Sequence, residues 1–362
     1  MKVAVVLLSC LAGLSLLFPL SNAAPVDPKT AAAVSLPPII ANRTRLPRTL
    51  PMADLMSEQR AMDSNGKLPN GTENKGGMAL DAPPQPATRP RAAYASSNTG
   101  VSLASVDHIE ELTFYTKLSS MSYCDSVIPG GKLDCAQCSA VSGATMVKTF
   151  STLLYDTNGY IIRDDAKKKL YLTFRGSSSI RNWIADFTFI ATSYTPVKGA
   201  KVHTGFYNSY KEVAQNVILT MQKELDAHPD YDTEVSGHSL GGAMAVLAAL
   251  DLYQRDIRFT PDNLRIFTYG APRVGNPDFA YYVTGTDIPF QRVVHDRDIV
   301  PHLPPQAFGF LHPGIENWIV DGENKVQICE HELETSLCSN SIVPFTSILD
   351  HLTYFDINVG TC

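Results

Sequence analysis

The chain is short of the features that mark several large classes of protein. It has no excess of basic charge: 30 Lys and Arg against 36 Asp and Glu give a formal net charge of -6 and a pI near 5.8. Without a basic stripe there is no surface to displace counterions from a polyphosphate, so nucleic acid is not an expected partner. Beyond Phe18 no apolar run approaches the roughly 20 residues that a spanning helix needs, so no stable transmembrane association is expected. The histidines are scattered and the cysteines are expected to pair, so neither a metal site nor a cofactor is indicated. Residues 24–93 contain no Phe, Trp, Tyr or Cys.

What is present begins with an export signature. Met1 and Lys2 precede an apolar run from Val3 to Phe18, and the small residues Ser21, Ala23 and Ala24 follow it. That order predicts a secretory signal peptide over residues 1–23; a membrane anchor would need a longer run, and Pro19 stops this one. Residues 24–95 hold 11 of the 24 prolines and cannot bury enough apolar surface to offset their ordering entropy. They read as a removable propeptide, largely disordered or loosely packed, with a permanent tail as the alternative. Two N-glycosylation sequons, Asn42-Arg-Thr and Asn70-Gly-Thr, fall within it.

Residues 96–362 read as one domain, large enough to bury most of its surface. A helix is predicted over Asp107 to Ser122, and strands over Phe150 to Tyr155, Lys169 to Arg175, Tyr231 to Ser236, Leu264 to Gly270 and Phe290 to Val294. Helical segments lie at Phe206 to Ala227, Gly241 to Gln254 and Asn276 to Thr284. Alternation of this kind predicts an α/β fold with a mostly parallel sheet covered by helices. Outside the signal there are six cysteines, Cys124, Cys135, Cys138, Cys329, Cys338 and Cys362, an even set suited to disulfides in an oxidising compartment. Cys135 and Cys138 have redox-motif spacing, but no βα pattern precedes them, so a small structural loop is the better reading.

Gly237-His-Ser239-Leu-Gly241 carries the chemistry, because a strand precedes this Gly-x-Ser-x-Gly and a helix-forming run follows it. The turn between them must be sharp, which forces the serine into a strained backbone and requires neighbours without side chains. Ser239 is then exposed at a helix N-terminus, where developing negative charge is favoured. A serine hydroxyl needs a base, usually a histidine braced by a carboxylate, and in this fold the chain order is Ser, Asp, His. Asp298 follows a strand and suits the acid. Five downstream histidines could be the base: His295, His302, His312, His331 and His351. Spacing alone leaves that choice open.

Five separated motifs narrow it. Phe174-Arg-Gly-Ser-Ser-Ser-Ile-Arg-Asn-Trp-Ile-Ala-Asp186, Gly237-His-Ser-Leu-Gly241, Tyr269-Gly-Ala-Pro-Arg-Val-Gly275, Arg297-Asp-Ile-Val-Pro-His-Leu-Pro-Pro305 and Asp350-His351 closely resemble the filamentous-fungal lipases of the Rhizomucor and Rhizopus type, over about residues 109–362. The resemblance implies an α/β-hydrolase fold, Ser239 as nucleophile, His351 as base and Asp298 as its acid. It also implies the pairings Cys124–Cys362, Cys135–Cys138 and Cys329–Cys338. The first, closing nearly the whole domain, could contribute on the order of 5 kcal/mol in the loop-entropy account. The segment before Ile109 matches the family poorly.

Two further parts follow from chemistry and resemblance together. The oxyanion of acyl transfer needs fixed donors: the N–H of Leu240, after the nucleophile, is one, and the resemblance points to Ser177 as the other. Ile180, Trp183, Ile184 and Phe187 recur at helical spacing, which predicts a short amphipathic helix; the resemblance makes it a lid. Exposing that stripe to water could cost up to about 10 kcal/mol, a penalty that a lipid surface removes. Val300, Leu303, Ile348, Leu349 and Leu352 flank the acid and base and are candidates for an acyl groove. The expected function is therefore a secreted triacylglycerol lipase acting on lipid esters at the oil–water interface. A feruloyl-type esterase on the same framework and a non-catalytic lipid-binding relative are the alternatives; the apolar lid argues against the first and the complete set of catalytic residues against the second.

Overall fold

The computed structural model describes residues 35–45, 100–320, 325–329, 333–334 and 338–362. The signal segment, Asn70, His331 and most of the expected propeptide lie outside them.

The central sheet has nine strands. In chain order they are β1 (Val101–Leu103), β2 (Thr145–Ser151), β3 (Asn158–Asp164), β4 (Lys169–Phe174), β7 (Asp232–His238), β8 (Leu264–Tyr269), β9 (Phe290–His295), β10 (Ile315–Ile319) and β11 (Val326–Cys329). A short hairpin of β5 (Ala191–Ser193) and β6 (Lys201–His203) and another of β12 (Thr353–Tyr354) and β13 (Ile357–Asn358) stand apart. The spatial order is β1-β11-β10-β9-β8-β7-β4-β3-β2. Neighbours among β4, β7, β8, β9 and β10 run parallel, as the α/β reading requires, while both edges are antiparallel. Antiparallel edges need only short turns, whereas each parallel step needs a crossover.

The helices follow from apolar spacing and end signals. Helix α1 (Val106–Met121) begins at Ser105, whose side chain accepts from the His108 N–H. It covers one face of the sheet, against Tyr171, Phe267 and Tyr269. Helix α2 (Ile180–Ala185) is the short helix expected after β4. Helices α3 (Thr204–Ala227), α4 (Leu240–Arg255) and α5 (Pro277–Thr284) cover the other face, against Leu170, Leu172, Val235 and Ile266. Alternate residues of β4 thus serve opposite cores, as the period of a strand dictates.

One sequence expectation is corrected. The strand expected over Phe150 to Tyr155 ends at Ser151, and Leu153 and Leu154 are exposed. Their apolar character reflects a turn tip, not a buried strand. Of residues 24–95, the described part is 35–45. Residues 36–43 dock on the far end of α4: Leu36 packs on the main core, Ile40 N–H donates to the Gln254 carbonyl, and Arg43 donates to the carbonyls of Tyr253, Asp256, Phe259 and Ile257. A helix C-terminus leaves carbonyls unsatisfied and carries partial negative charge, and a guanidinium with five donors answers both. Asn42 within this stretch is exposed.

All three disulfides, Cys124–Cys362, Cys135–Cys138 and Cys329–Cys338, are formed as the resemblance implies. Glu316 lies close to the last pair, but both sulfurs are spent in the disulfide and offer no thiolate to a metal. No helix among the described residues is long and apolar enough to cross a membrane.

Candidate active site

Ser239 stands between the end of β7 and the start of α4, with φ 59° and ψ -132°. A side chain at positive φ is strained, and two close approaches hold it there. A Cβ on Gly237 would lie 2.3 Å from the Gly241 carbonyl oxygen, and one on Gly241 2.3 Å from that of Phe174. The glycines of the motif are therefore required by contact. The Ser239 N–H donates to the Tyr269 carbonyl at 2.8 Å, fixing the turn to β8.

Asp298 follows β9 and His351 lies in a 3-10 turn, Leu349–Leu352. A bridge between Asp298 and Ser347 joins the two loops, with Ile299 N–H donating to the Ser347 carbonyl and Ser347 N–H to that of Arg297. His351 Nδ1 then meets Asp298 Oδ2 at 2.8 Å, with both side chains fully buried. Asp298 also accepts from the Val300 N–H at 2.8 Å and from the Tyr354 hydroxyl. Burial first, and the Asp298 charge second, raise Tyr354 well above its ordinary range, so the phenol keeps its proton and donates.

The remaining atoms of the site are poised without partners. Ser239 Oγ and His351 Nε2 are buried, and neither is hydrogen-bonded among the described residues. Buried polar groups are rarely left unpaired, and such exceptions concentrate where chemistry occurs. Since Nδ1 donates to a carboxylate, Nε2 carries the free lone pair of the neutral ring.

His238, beside Ser239, supports this arrangement through a chain of donors. The Gly176 N–H donates to the Tyr123 hydroxyl at 3.1 Å, the hydroxyl lies 2.7 Å from His238 Nδ1, and His238 Nε2 lies 2.9 Å from the His351 carbonyl oxygen. The tautomer follows from the partners: the phenol donates to Nδ1, and Nε2–H donates to the carbonyl. Burial, then the nearby His351 ring, push His238 well below the usual histidine range, so it stays neutral. Tyr123, Tyr354 and His238 were absent from the sequence expectations. His238 sits inside the serine motif, but only its fold-mediated partner at residue 351 reveals its use.

The other expected residues fall as follows. Leu240 is the first residue of α4, and Ser177 is half-buried in the turn after β4. That turn abuts Ser239: a Cβ on Gly176 would lie 2.7 Å from Ser239 Cβ. Ile180 is buried with Ile299, Val300, Leu303 and Ile348, and Trp183, Ile184, Phe187 and Leu352 pack against them half-exposed. Phe187 lies beyond the end of α2 at Ala185 but keeps its ring centroid 4.5 Å from that of Trp183. Leu349 is 64% exposed and outside this cluster, because the turn that buries His351 points it outward. Of the other candidate bases, His295 Nδ1 meets the Asp350 carbonyl and His312 Nε2 that of Pro301, while His302 is buried with neither ring nitrogen hydrogen-bonded among the described residues.

Comparison with known proteins agrees with this geometry. The family described as lipase (class 3) matches residues 171–308. A Rhizomucor miehei lipase is 52% identical over 95% of this chain and 94% of its own. The native propeptide complex of that organism's lipase superposes with a TM-score of 0.78 at 52% identity, covering 91% of this chain and 100% of the other. A structure described as a triacylglycerol lipase whose catalytic centre is a serine protease triad has a TM-score of 0.71 at 56% identity, covering 72% and 99%. With 52% identity along nearly its whole length, this chain belongs to the class 3 lipase family.

Proposed function

We propose that the protein is a secreted triacylglycerol lipase in which Ser239, His351 and Asp298 form the catalytic triad. The observation that carries the reading is the buried pair of unpartnered atoms, Ser239 Oγ and His351 Nε2, with Asp298 bracing the imidazole from behind. His351 Nε2 takes the Ser239 proton as Oγ attacks the ester carbonyl carbon. The resulting oxyanion is held by the N–H of Leu240 and by Ser177. His351 then delivers the proton to the departing glycerol oxygen, and diacylglycerol leaves behind an acyl-Ser239. Water, deprotonated by the same nitrogen, attacks the acyl carbon, and collapse of the second oxyanion returns the proton to Ser239 and releases the fatty acid. Each fixed oxyanion donor is worth roughly 3 kcal/mol.

The lid reading rests on burial. Ser239 and His351 have no exposed surface, and the apolar side of α2 covers Val300, Leu303 and Ile348. Lifting the lid opens a groove lined by those three residues and Leu352, suited to an acyl chain. Trp183, Ile184 and Phe187 are only half-buried when closed, so opening costs less than full exposure of four side chains. A lipid surface shifts the population because it contacts the open form alone.

The segment 24–95 is a propeptide in this reading, supported by the Rhizomucor propeptide complex that aligns with 91% of this chain. Secretion rests on the signal pattern and the six paired cysteines. The deciding experiment is hydrolysis of emulsified long-chain triglyceride by wild type and Ser239→Ala, with rate followed as ester concentration passes its solubility limit. A jump at phase separation, abolished in the variant, is expected; an active variant would refute the triad, and a smooth hyperbola the lid.

A further inference from the structure

Nine large apolar side chains are exposed among the described residues, and six of them ring the active site. Leu153, Leu154 and Tyr155 form the turn between β2 and β3 and are 104%, 77% and 40% exposed. Strand pairing places that turn at the nucleophile's end of the sheet. Gly237 pairs with Phe174 in the parallel β4–β7 ladder, and Phe174 pairs with Gly159 at the start of β3. Leu349 stands on the other side of Ser239, beside the loops that follow β9, about 20 Å away at ~4.8 Å per strand. Ile190 and Phe308 complete the rim next to the lid, where the Phe189 ring lies 4.6 Å from Phe308.

The turn is held rigidly at its base. Thr152 N–H donates to the Thr157 carbonyl, the Thr157 N–H to Thr152 Oγ1, and Tyr155 N–H to Glu212 Oε2. Asp156 accepts from Arg175 at 2.7 Å, and Arg175 is the residue before the Gly176–Ser177 turn. Two leucines fixed in water by this many polar bonds gain nothing from the fold, and a contiguous exposed apolar patch marks a contact surface.

We propose that the Leu153–Leu154–Tyr155 turn is a permanent anchor that inserts into the surface of a neutral triglyceride droplet and sets the mouth of the site against it before the lid opens. The inference rests on the lipase reading above and deepens it. The occupant is an uncharged lipid surface because, among the described residues, the charged groups bonded to the turn are Asp156 and Glu212, with Arg175 paired to Asp156, which offers no basic cluster to an anionic headgroup. Because the turn is exposed in the closed form, anchoring needs no prior conformational change.

The test measures partition of the full-length protein onto triolein droplets, in a Ser239→Ala background so that the surface is not consumed. Leu153→Ser, at a side chain with no packing to lose, should weaken partition about 10-fold, and the double variant Leu153→Ser with Leu154→Ser further. Ile257→Ser is the control: it is equally apolar and 70% exposed, but lies past the far end of α4, about 24 Å from Ser239, and should partition as its parent does. Unchanged partition of the Leu153 variants, or an equal loss in the Ile257 variant, overturns the anchor. So does a Leu153-dependent affinity for phosphatidylserine vesicles that exceeds that for triolein. The same substitutions in the active enzyme should leave turnover of a dissolved short-chain ester unchanged. Loss of that turnover in the unsubstituted enzyme would instead count against the lipase reading, which separates the two failures.

Discussion

Asp298 Oδ2 receives two donors at once, the Nδ1–H of His351 at 2.8 Å and the hydroxyl of Tyr354. The carboxylate therefore fixes the ring in the tautomer whose lone pair lies on Nε2. Asp298→Asn replaces the acceptor by an amide that can donate, which favours the opposite tautomer. On a dissolved ester, kcat is expected to fall on the order of 10³- to 10⁴-fold, with KM little changed. Tyr354→Phe leaves the acid in place and should cost only about 10-fold. Equal losses in the two variants would mean that the phenol, not the carboxylate, sets the ring.

Gly270 has φ +56° and faces this pair directly. A Cβ there would lie 2.6 Å from Asp298 Oδ2 and 2.8 Å from His351 Cε1. Gly270→Ala combines a strained backbone with a wedge between acid and base. Turnover of a dissolved ester is expected to drop about 100-fold or more, since small misplacements of catalytic groups cost that much. The Tm should fall by only a few degrees, because the strain is confined to one turn. A variant with full activity would show that the site has slack.

Much of this site was legible in the sequence, and the boundary is physical. Ser239 could be found because its strand, turn and helix are consecutive, so local backbone demands are written in adjacent residues. His351 could not be chosen among five histidines on spacing alone, because the contact that selects it is a bridge between the loops at Asp298 and Ser347. Tyr123, at the end of α1, reaches His238 across 115 residues of chain, and no local pattern encodes such an approach. The strands β1, β3, β10 and β11 were missed for a related reason: their identity comes from pairing. The run Leu153 to Tyr155 misled in the opposite direction, since apolar residues at a surface contact resemble buried ones.

Tyr123→Phe tests the reach of that long contact. The substitution removes the donor to His238 Nδ1 and the acceptor of the Gly176 N–H, leaving two buried groups unpaired. Each costs about 1–3 kcal/mol of fixed geometry or stability. Because Gly176 adjoins Ser177 and His238 holds the His351 carbonyl, kcat should fall about 10-fold or more while KM stays within a few-fold. A pure rise in KM would place Tyr123 in substrate binding instead.

The pH dependence of stability is set in large part by histidines buried without charge. Burial, and then the charge of Arg273, push His302 down to about 4, although Glu334, Glu316 and Asp298 pull the other way. The unfolded chain has a histidine near 6.5, so between those values it takes up a proton that the folded form refuses. The stabilisation is therefore complete above about pH 6.5 and drains away as pH falls towards 4, by on the order of 3 kcal/mol. His238 and His312, also held well below the ordinary histidine range by burial, add to the loss on acidification. Burial alone would raise Glu334, but Arg273 holds it far below the ordinary carboxylate range, so its contribution is also lost on acidification. His302→Gln cannot take up the proton. Calorimetry at pH 7 and pH 4.5 should show its Tm falling about 5–10 °C less than that of wild type across the interval. An identical fall in both proteins would mean that the acid response resides in Glu334 and the other histidines, not in His302.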